Sequence, residues 1–161
     1  MKSKIAFFSS FLIHLMLLVA NVLIVEWPLD VRAGETIIDA LQSHALNVQA
    51  TSCHAPSTLN PAICSHRLYA KGNEIIKEVI ACGTTPSPPT FFPINGTGKF
   101  RSTVSGLKLT TFVDSPAGVT FKSIFEISPD FKKCSYQPLC GGRWIATSPS
   151  CTVEFKGTSL R

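Results

Sequence analysis

Six cysteines, Cys53, Cys64, Cys82, Cys134, Cys140 and Cys151, lie C-terminal to an apolar run that opens the chain. An even number of cysteines in an exported protein reads as a disulfide framework, because an oxidising compartment lets such bridges persist. A framework of this kind restricts the fold to a small, loop-rich domain. Each bridge contributes about 2–4 kcal/mol, largely by restricting the unfolded chain. Six cysteines allow about 15 pairings, and their spacing does not choose among them.

Export itself is read from the N-terminus. Lys2 and Lys4 precede residues 5–25, an apolar run interrupted only by Ser9, Ser10, His14 and Asn21. This is the charged and apolar order of a secretory signal. Val31-Arg32-Ala33 offers the small-residue cleavage pattern, so residues 1–33 are read as a signal peptide and the exported chain as starting at Gly34. The run also approaches the roughly 20 apolar residues of a membrane anchor, which keeps an uncleaved anchor as the alternative. Beyond Val25 no comparable run occurs, and no membrane association is expected after cleavage. The expected location is extracellular, in the cell wall or apoplast if the source is a plant.

Of 15 Lys and Arg and 10 Asp and Glu, residues 1–33 take Lys2, Lys4, Arg32, Glu26 and Asp30, leaving 12 basic against 8 acidic side chains. The bases are scattered, with Lys132-Lys133 the one doublet, so the pattern is a solvated surface and not a nucleic-acid site. A weak attraction to acidic polysaccharide or anionic lipid fits the balance. Cys53-His54 and Cys64-Ser65-His66 bring metal-ligand types together, but ten residues separate the cysteines where structural zinc sites use Cys-x2-4-Cys. Neither a metal nor a cofactor is expected.

The remaining pattern is β. Residues 46–52 alternate loosely, residues 66–82 read as two strands around Lys71-Gly72-Asn73, and residues 99–127 are rich in β-branched and aromatic side chains between turns. Phe121, Phe125 and Ile127 occupy one parity of a half-buried strand. Residues 74–81 also fit a helical stripe through Ile75, Ile76, Val79 and Ile80, and β-branching favours the strand. Ahead of these, residues 34–46 form an N-terminal segment in which Ile37, Ile38, Leu41 and Leu46 share a helical face, with Glu35 and Asp39 early, where the helix dipole favours them. A short helix or a linker left by signal cleavage both fit. Four prolines exclude residues 84–93 from a sheet interior, and residues 128–144 read as equally irregular. The expected fold is an all-β, disulfide-stabilised β-sandwich or small β-barrel over residues 47–161.

Catalytic patterns are missing. No nucleophile elbow, phosphate loop or His-Glu-x-x-His segment occurs, and the exported histidines, His44, His54 and His66, stand apart in sequence. A non-enzymatic protein is expected. Asn95-Gly96-Thr97 is an acceptor pattern for N-glycosylation, and with Gly98 it is also the turn that starts the strand at Lys99. Both readings hold together. Phe91 and Phe92 are either core plugs or a contact surface.

The stretch VIACGTTPSPPTFFPINGTGKFRSTVSGL resembles the central region of the plant olive-pollen-allergen and extensin family, particularly its phylloplanin-like members. In that family an apolar strand ends in Cys-Gly, here Cys82-Gly83, and after a variable loop an Asn-Gly-x-Gly-x-Phe turn opens the next strand, here Asn95 to Phe100. Ser128-Pro129 followed by Cys134 matches a late element, and Cys53 takes the place of the cysteine ending the first strand. The similarity spans residues 47–142. Phe121 stands where the family carries a cysteine, and Cys64, Cys140 and Cys151 have no counterpart, so no pairing is carried over. The resemblance implies a secreted plant glycoprotein with a β-barrel-like domain, associated with cell walls, pollen or leaf-surface defence against microbes.

These readings converge on an extracellular protein that acts by binding, with cell-wall polysaccharide or a microbial surface as target. The alternatives are a protein-binding inhibitor or effector anchored by Phe91, Phe92 or Tyr136, and a lipid carrier with a Phe-lined cavity of several hundred Å3.

Overall fold

The computed structural model describes residues 35–83 and 87–157, which belong to a compact unit spanning Gly34–Arg161. The export segment and its cleavage site lie outside the described residues. Among the described residues, no helix is long and apolar enough to cross a membrane.

Among the described residues one short helix, α1 (Ile37–Ser43), starts at Thr36. Thr36 Oγ1 accepts from the Asp39 N–H at 3.4 Å, and an Asp39 carboxylate oxygen accepts from the Thr36 N–H at 2.7 Å. This reciprocal cap satisfies donors that a helix start leaves free. Ile37, Ala40 and Leu41 are fully buried, and the Ile37 N–H donates to the Gly106 carbonyl at 2.8 Å, so α1 closes one end of the domain. Leu46, expected on the same helical stripe, instead belongs to the first strand. From Leu46 the buried positions run Leu46, Val48, Ala50 with period two, and ladder bonds to strands on both sides outweigh a further helical turn.

Nine strands follow among the described residues: β1 (His44–Thr51), β2 (Ile63–Lys71), β3 (Glu74–Cys82), β4 (Thr90–Pro93), β5 (Phe100–Ser105), β6 (Lys108–Asp114), β7 (Thr120–Ile127), β8 (Cys134–Leu139) and β9 (Ser150–Phe155). They form a five-stranded sheet in the order β4-β3-β2-β1-β9 and a four-stranded sheet in the order β5-β6-β7-β8, antiparallel throughout. The result is the two-sheet form of the expected all-β fold. At one seam the sheets share a single parallel bridge between Ile94 and Ser102, where Ser102 Oγ donates to the Pro93 carbonyl at 2.8 Å. At the other seam a disulfide, Cys134–Cys151, takes the place of a ladder, so no barrel closes.

Two segments read as irregular contain strands. Thr90–Pro93 pairs with β3, and Cys134–Leu139 pairs with β7, prolines included. Both are at the end of their sheet in strand order, where the missing N–H of Pro93 or Pro138 costs no central ladder bond. Residues 74–81 are strand, as β-branching indicated.

The core lies between the sheets. Leu46, Val48, Leu68, Ile75 and Phe92 from one sheet meet Leu109, Phe125 and Ile127 from the other, over α1. Phe125 stacks on Tyr136 at 5.1 Å between ring centres, and Phe92 meets Phe100 edge-on at 5.9 Å. Such pairs add about 0.5–1.5 kcal/mol beyond their buried area.

All six cysteines are bridged, as Cys53–Cys140, Cys64–Cys82 and Cys134–Cys151. Cys64 and Cys82 face each other across β2 and β3, which requires a change of parity. Ile75 and Val79 share one parity of β3, and Cys82 has the other. A register shift at Ser65/His66 pairs Val79 with His66 and Ala81 with Ser65, leaving Ile80 without a partner. This bulge turns Cys82 to the face that Cys64 occupies.

Candidate functional site

Strand directions give the sandwich two ends. α1 covers the end where β1 begins. The opposite end gathers the last residues of β1, β3, β6 and β8, the first of β2, β7 and β9, and the loops between them. Three contacts tie these loops together. Cys53–Cys140 joins the segment after β1 to the segment after β8. His54 and Ile145 exchange backbone bonds of 2.9 and 2.8 Å, and the Thr51 N–H donates to the Thr147 carbonyl at 3.0 Å.

Six of the eight large hydrophobic side chains exposed among the described residues sit at this end: Leu59, Ile63, Ile80, Leu139, Trp144 and Ile145. A concentration of this kind marks an interaction surface more often than chance exposure does. Beside it runs a groove of about 580 Å3 lined by Ala117, Val119, Phe121, Gly141, Arg143 and Trp144, among others. Trp144 is 53% exposed, and its ring lies 6.2 Å from that of Phe121. Gly141 is required by contact, since a Cβ there would run into Val119 Cγ1. Asp114, at the same end, is committed to Arg101 and, through Oδ1, to the Thr120 hydroxyl at 2.7 Å; these bonds, Arg101 first, hold its carboxyl below the usual range.

Deeper at the same end the space between the sheets is polar. A cavity of about 200 Å3 is lined by His66, Lys77, Thr111, Ser123 and Tyr136, among others. Their positions follow from strand parity: Lys77 lies between Ile75 and Val79 on the inward face of β3, and His66 between Cys64 and Leu68 on that of β2. Desolvation pulls the Lys77 ammonium down to about 8. Burial, and then the Lys77 charge, lower His66 to about 4. His66 Nδ1 is buried without a hydrogen-bond partner. Burial also raises the Tyr136 phenol.

The residues singled out by sequence are dispersed. Phe92 is core, at 1% exposure, and Phe91 beside it is exposed on β4, so the two readings of this pair divide between its members. Tyr136 points into the sandwich and lines the cavity; the exposed aromatic loop expected around it is a strand. Asn95 is exposed, with φ at +53°, in the turn from β4 to β5. Cys53 and Cys64 have their sulfurs in disulfides, which removes them as thiolate ligands. His44 packs against Phe131 and Phe155, His54 Nδ1 bonds the Ser52 carbonyl at 2.6 Å, and His66 lies in the cavity. Sequence reasoning passed over Trp144, as well as Lys77 and the place of His66, which it weighed only as a metal ligand or catalytic histidine. The last two were detectable as polar residues at core parity in otherwise apolar alternation. No family model, curated protein or solved structure matches this chain.

Proposed function

We propose that this protein is an exported, non-catalytic binding protein that takes hold of acidic polysaccharide, in a cell wall or on a microbial surface, through the loop end opposite α1. The observation that carries the reading is the exposed Trp144 beside Phe121 in a groove with Arg143, on loops pinned by Cys53–Cys140. An aromatic face accepts the C–H surface of a sugar ring, and a guanidinium pairs bidentately with a uronate carboxylate. Trp and Arg are also the residue types that dominate binding energy when held in a preformed site. The basic balance of the exported residues favours the encounter.

The resemblance of residues 47–142 to phylloplanin-like proteins points the same way, towards a plant surface protein acting against microbes. Asn95 serves as the glycan site in this reading, on the exposed turn between β4 and β5. Lipid carriage draws less support, because the space between the sheets is about 200 Å3 and partly polar. The protein-binding alternative rests on Phe91 and on the same apolar end.

Co-sedimentation with insoluble de-esterified pectin separates these readings. Trp144→Ala and Arg143→Gln each lower retention about tenfold or more, whereas Phe91→Ala leaves it unchanged. Retention of all three variants at the parental level would remove the groove from the binding mechanism.

A further inference from the structure

The cavity between the sheets poses a problem that the groove does not address. Lys77 projects from β3 into it at an inward position, between the buried Ile75 and the half-buried Val79. A desolvated ammonium is costly unless it is paired and hydrogen-bonded. No carboxylate is among the residues that line the cavity. The facing groups are His66 from β2, Thr111 from β6, Ser123 from β7 and Tyr136 from β8. Lys122 also contributes to the lining, but its ammonium lies 5.6 Å from the centre of the Phe112 ring, its cross-strand neighbour. The Lys77 ammonium, an unpartnered imidazole nitrogen and the hydroxyls of Thr111, Ser123 and Tyr136 thus face a space whose lining holds no carboxylate.

The remaining lining adds Thr51 and Ser52 to apolar side chains that include Val113 and Phe121. This combination selects a ligand with one negative charge and a compact hydrophobic body. A dianion such as phosphate would meet Lys77 as the one formal positive charge not engaged elsewhere, since Lys122 lies over the Phe112 ring and His66 is neutral above pH of about 4. Size narrows the class further. An apolar cavity of about 150 Å3 holds benzene, and drug-sized pockets begin near 300 Å3; at about 200 Å3 this cavity matches a single ring bearing a carboxylate.

We propose that the cavity is a binding site for a small monocarboxylate of benzoate size, with Lys77 as its ion-pair partner and the hydroxyls of Ser123 and Tyr136 as further donors. The site is independent of the polysaccharide groove, although Phe121 borders both. Its occupant supplies the counter-charge that the fold omits.

The test uses sodium benzoate and its neutral near-isostere benzamide on the purified protein, read by calorimetry and by the ring 13C–1H signals of His66. Benzoate binds saturably with a Kd at or below about 1 mM and shifts the His66 signals, while benzamide binds at least about tenfold more weakly. Lys77→Met abolishes benzoate binding with its near-ultraviolet circular dichroism unchanged, and Lys108→Met, outside the cavity lining, leaves binding as in the parent. Benzoate affinity falls as pH rises through about 8, where Lys77 loses its proton. Equal binding of benzamide, benzoate binding retained in Lys77→Met, or no saturable signal up to about 10 mM benzoate would each overturn the proposal.

Discussion

Replacing Lys77 by methionine is expected to make the protein more stable. The substitution keeps most of the side-chain volume and removes a charge that the folded state does not pair. Desolvation brings the ammonium from 10.5 down to about 8. That is about 3 kcal/mol against the charged form in the folded state. The side chain keeps partial contact with solvent, so about 2 kcal/mol is the expected gain at pH 7. The sign of the pH dependence follows from linkage. Below pH 8 the amine is protonated in both states, and the penalty is present in full. Between about 8 and 10.5 the unfolded chain holds a proton that the folded protein has released, so the parent gains stability as pH rises. Above 10.5 the amine is neutral in both states, and the penalty is gone. Urea unfolding of parent and Lys77→Met at pH 7, 9 and 10.5 should therefore show a difference of about 2 kcal/mol that shrinks towards zero. A variant less stable than the parent at pH 7 would mean that the ammonium is well paired in the folded protein, and the reading of the cavity as lacking an anion would fail.

Three other outcomes follow from the same structure. His66 titrates at about 4 when folded against 6.5 ordinarily, so the unfolded chain binds the extra proton between these values and stability falls as pH drops through that window. The loss is about 2 kcal/mol after allowance for the ring's partial exposure; His66→Leu should flatten the dependence in urea midpoints at pH 7 and 4, and an unaltered slope would place the titration elsewhere. Replacing Cys53 and Cys140 together by serine opens a link spanning 87 residues, for which the loop-entropy relation gives about 4–5 kcal/mol; thermal unfolding should register that loss, and limited proteolysis should cut first within residues 141–149, whereas an undisturbed cleavage pattern would show that the loop is held by other contacts. Phe92→Ala should cost about 3–5 kcal/mol because the ring is 1% exposed and packs on Phe100, while Phe91→Ala should stay within about 0.5 kcal/mol; equal effects in denaturant titrations would contradict their separation into core and surface.

Local pattern made much of the architecture legible. The hairpin at Gly72-Asn73, the alternation from Phe121 to Ile127 and the turn at Asn95 to Gly98 are short-range features, encoded by the residues that form them. Leu46 misled because a helical stripe and a strand's alternate positions overlap over so few residues, and only the partners β2 and β9 decide between them. Pro93 and Pro138 concealed β4 and β8, since proline excludes a central position in a sheet but not an edge, and edge status depends on strand order. Disulfide connectivity was illegible for a related reason: Cys64 can meet Cys82 only through a bulge at Ile80 that no residue there announces. The cavity was half visible. Lys77 and His66 sit at apolar parity in the sequence, but their convergence requires knowing that β2 and β3 are neighbours and that β6, β7 and β8 cover them. Trp144 lay in a stretch without periodicity, where exposure depends entirely on the path set by Cys140 and the His54–Ile145 bridge.

The binding reading can be tested through Trp144 itself. Of the two tryptophans, Trp27 falls within residues 1–33, so protein prepared from Gly34 onward has a single indole, located in the groove. Titrating it with polygalacturonate should shift the emission to shorter wavelength and saturate, as the exposed ring becomes covered. Added salt should weaken the interaction because part of it is ionic through Arg143. An emission spectrum that stays unchanged while the polymer is shown to be bound would place the contact away from this groove, and unchanged emission with no binding would remove acidic polysaccharide as the target.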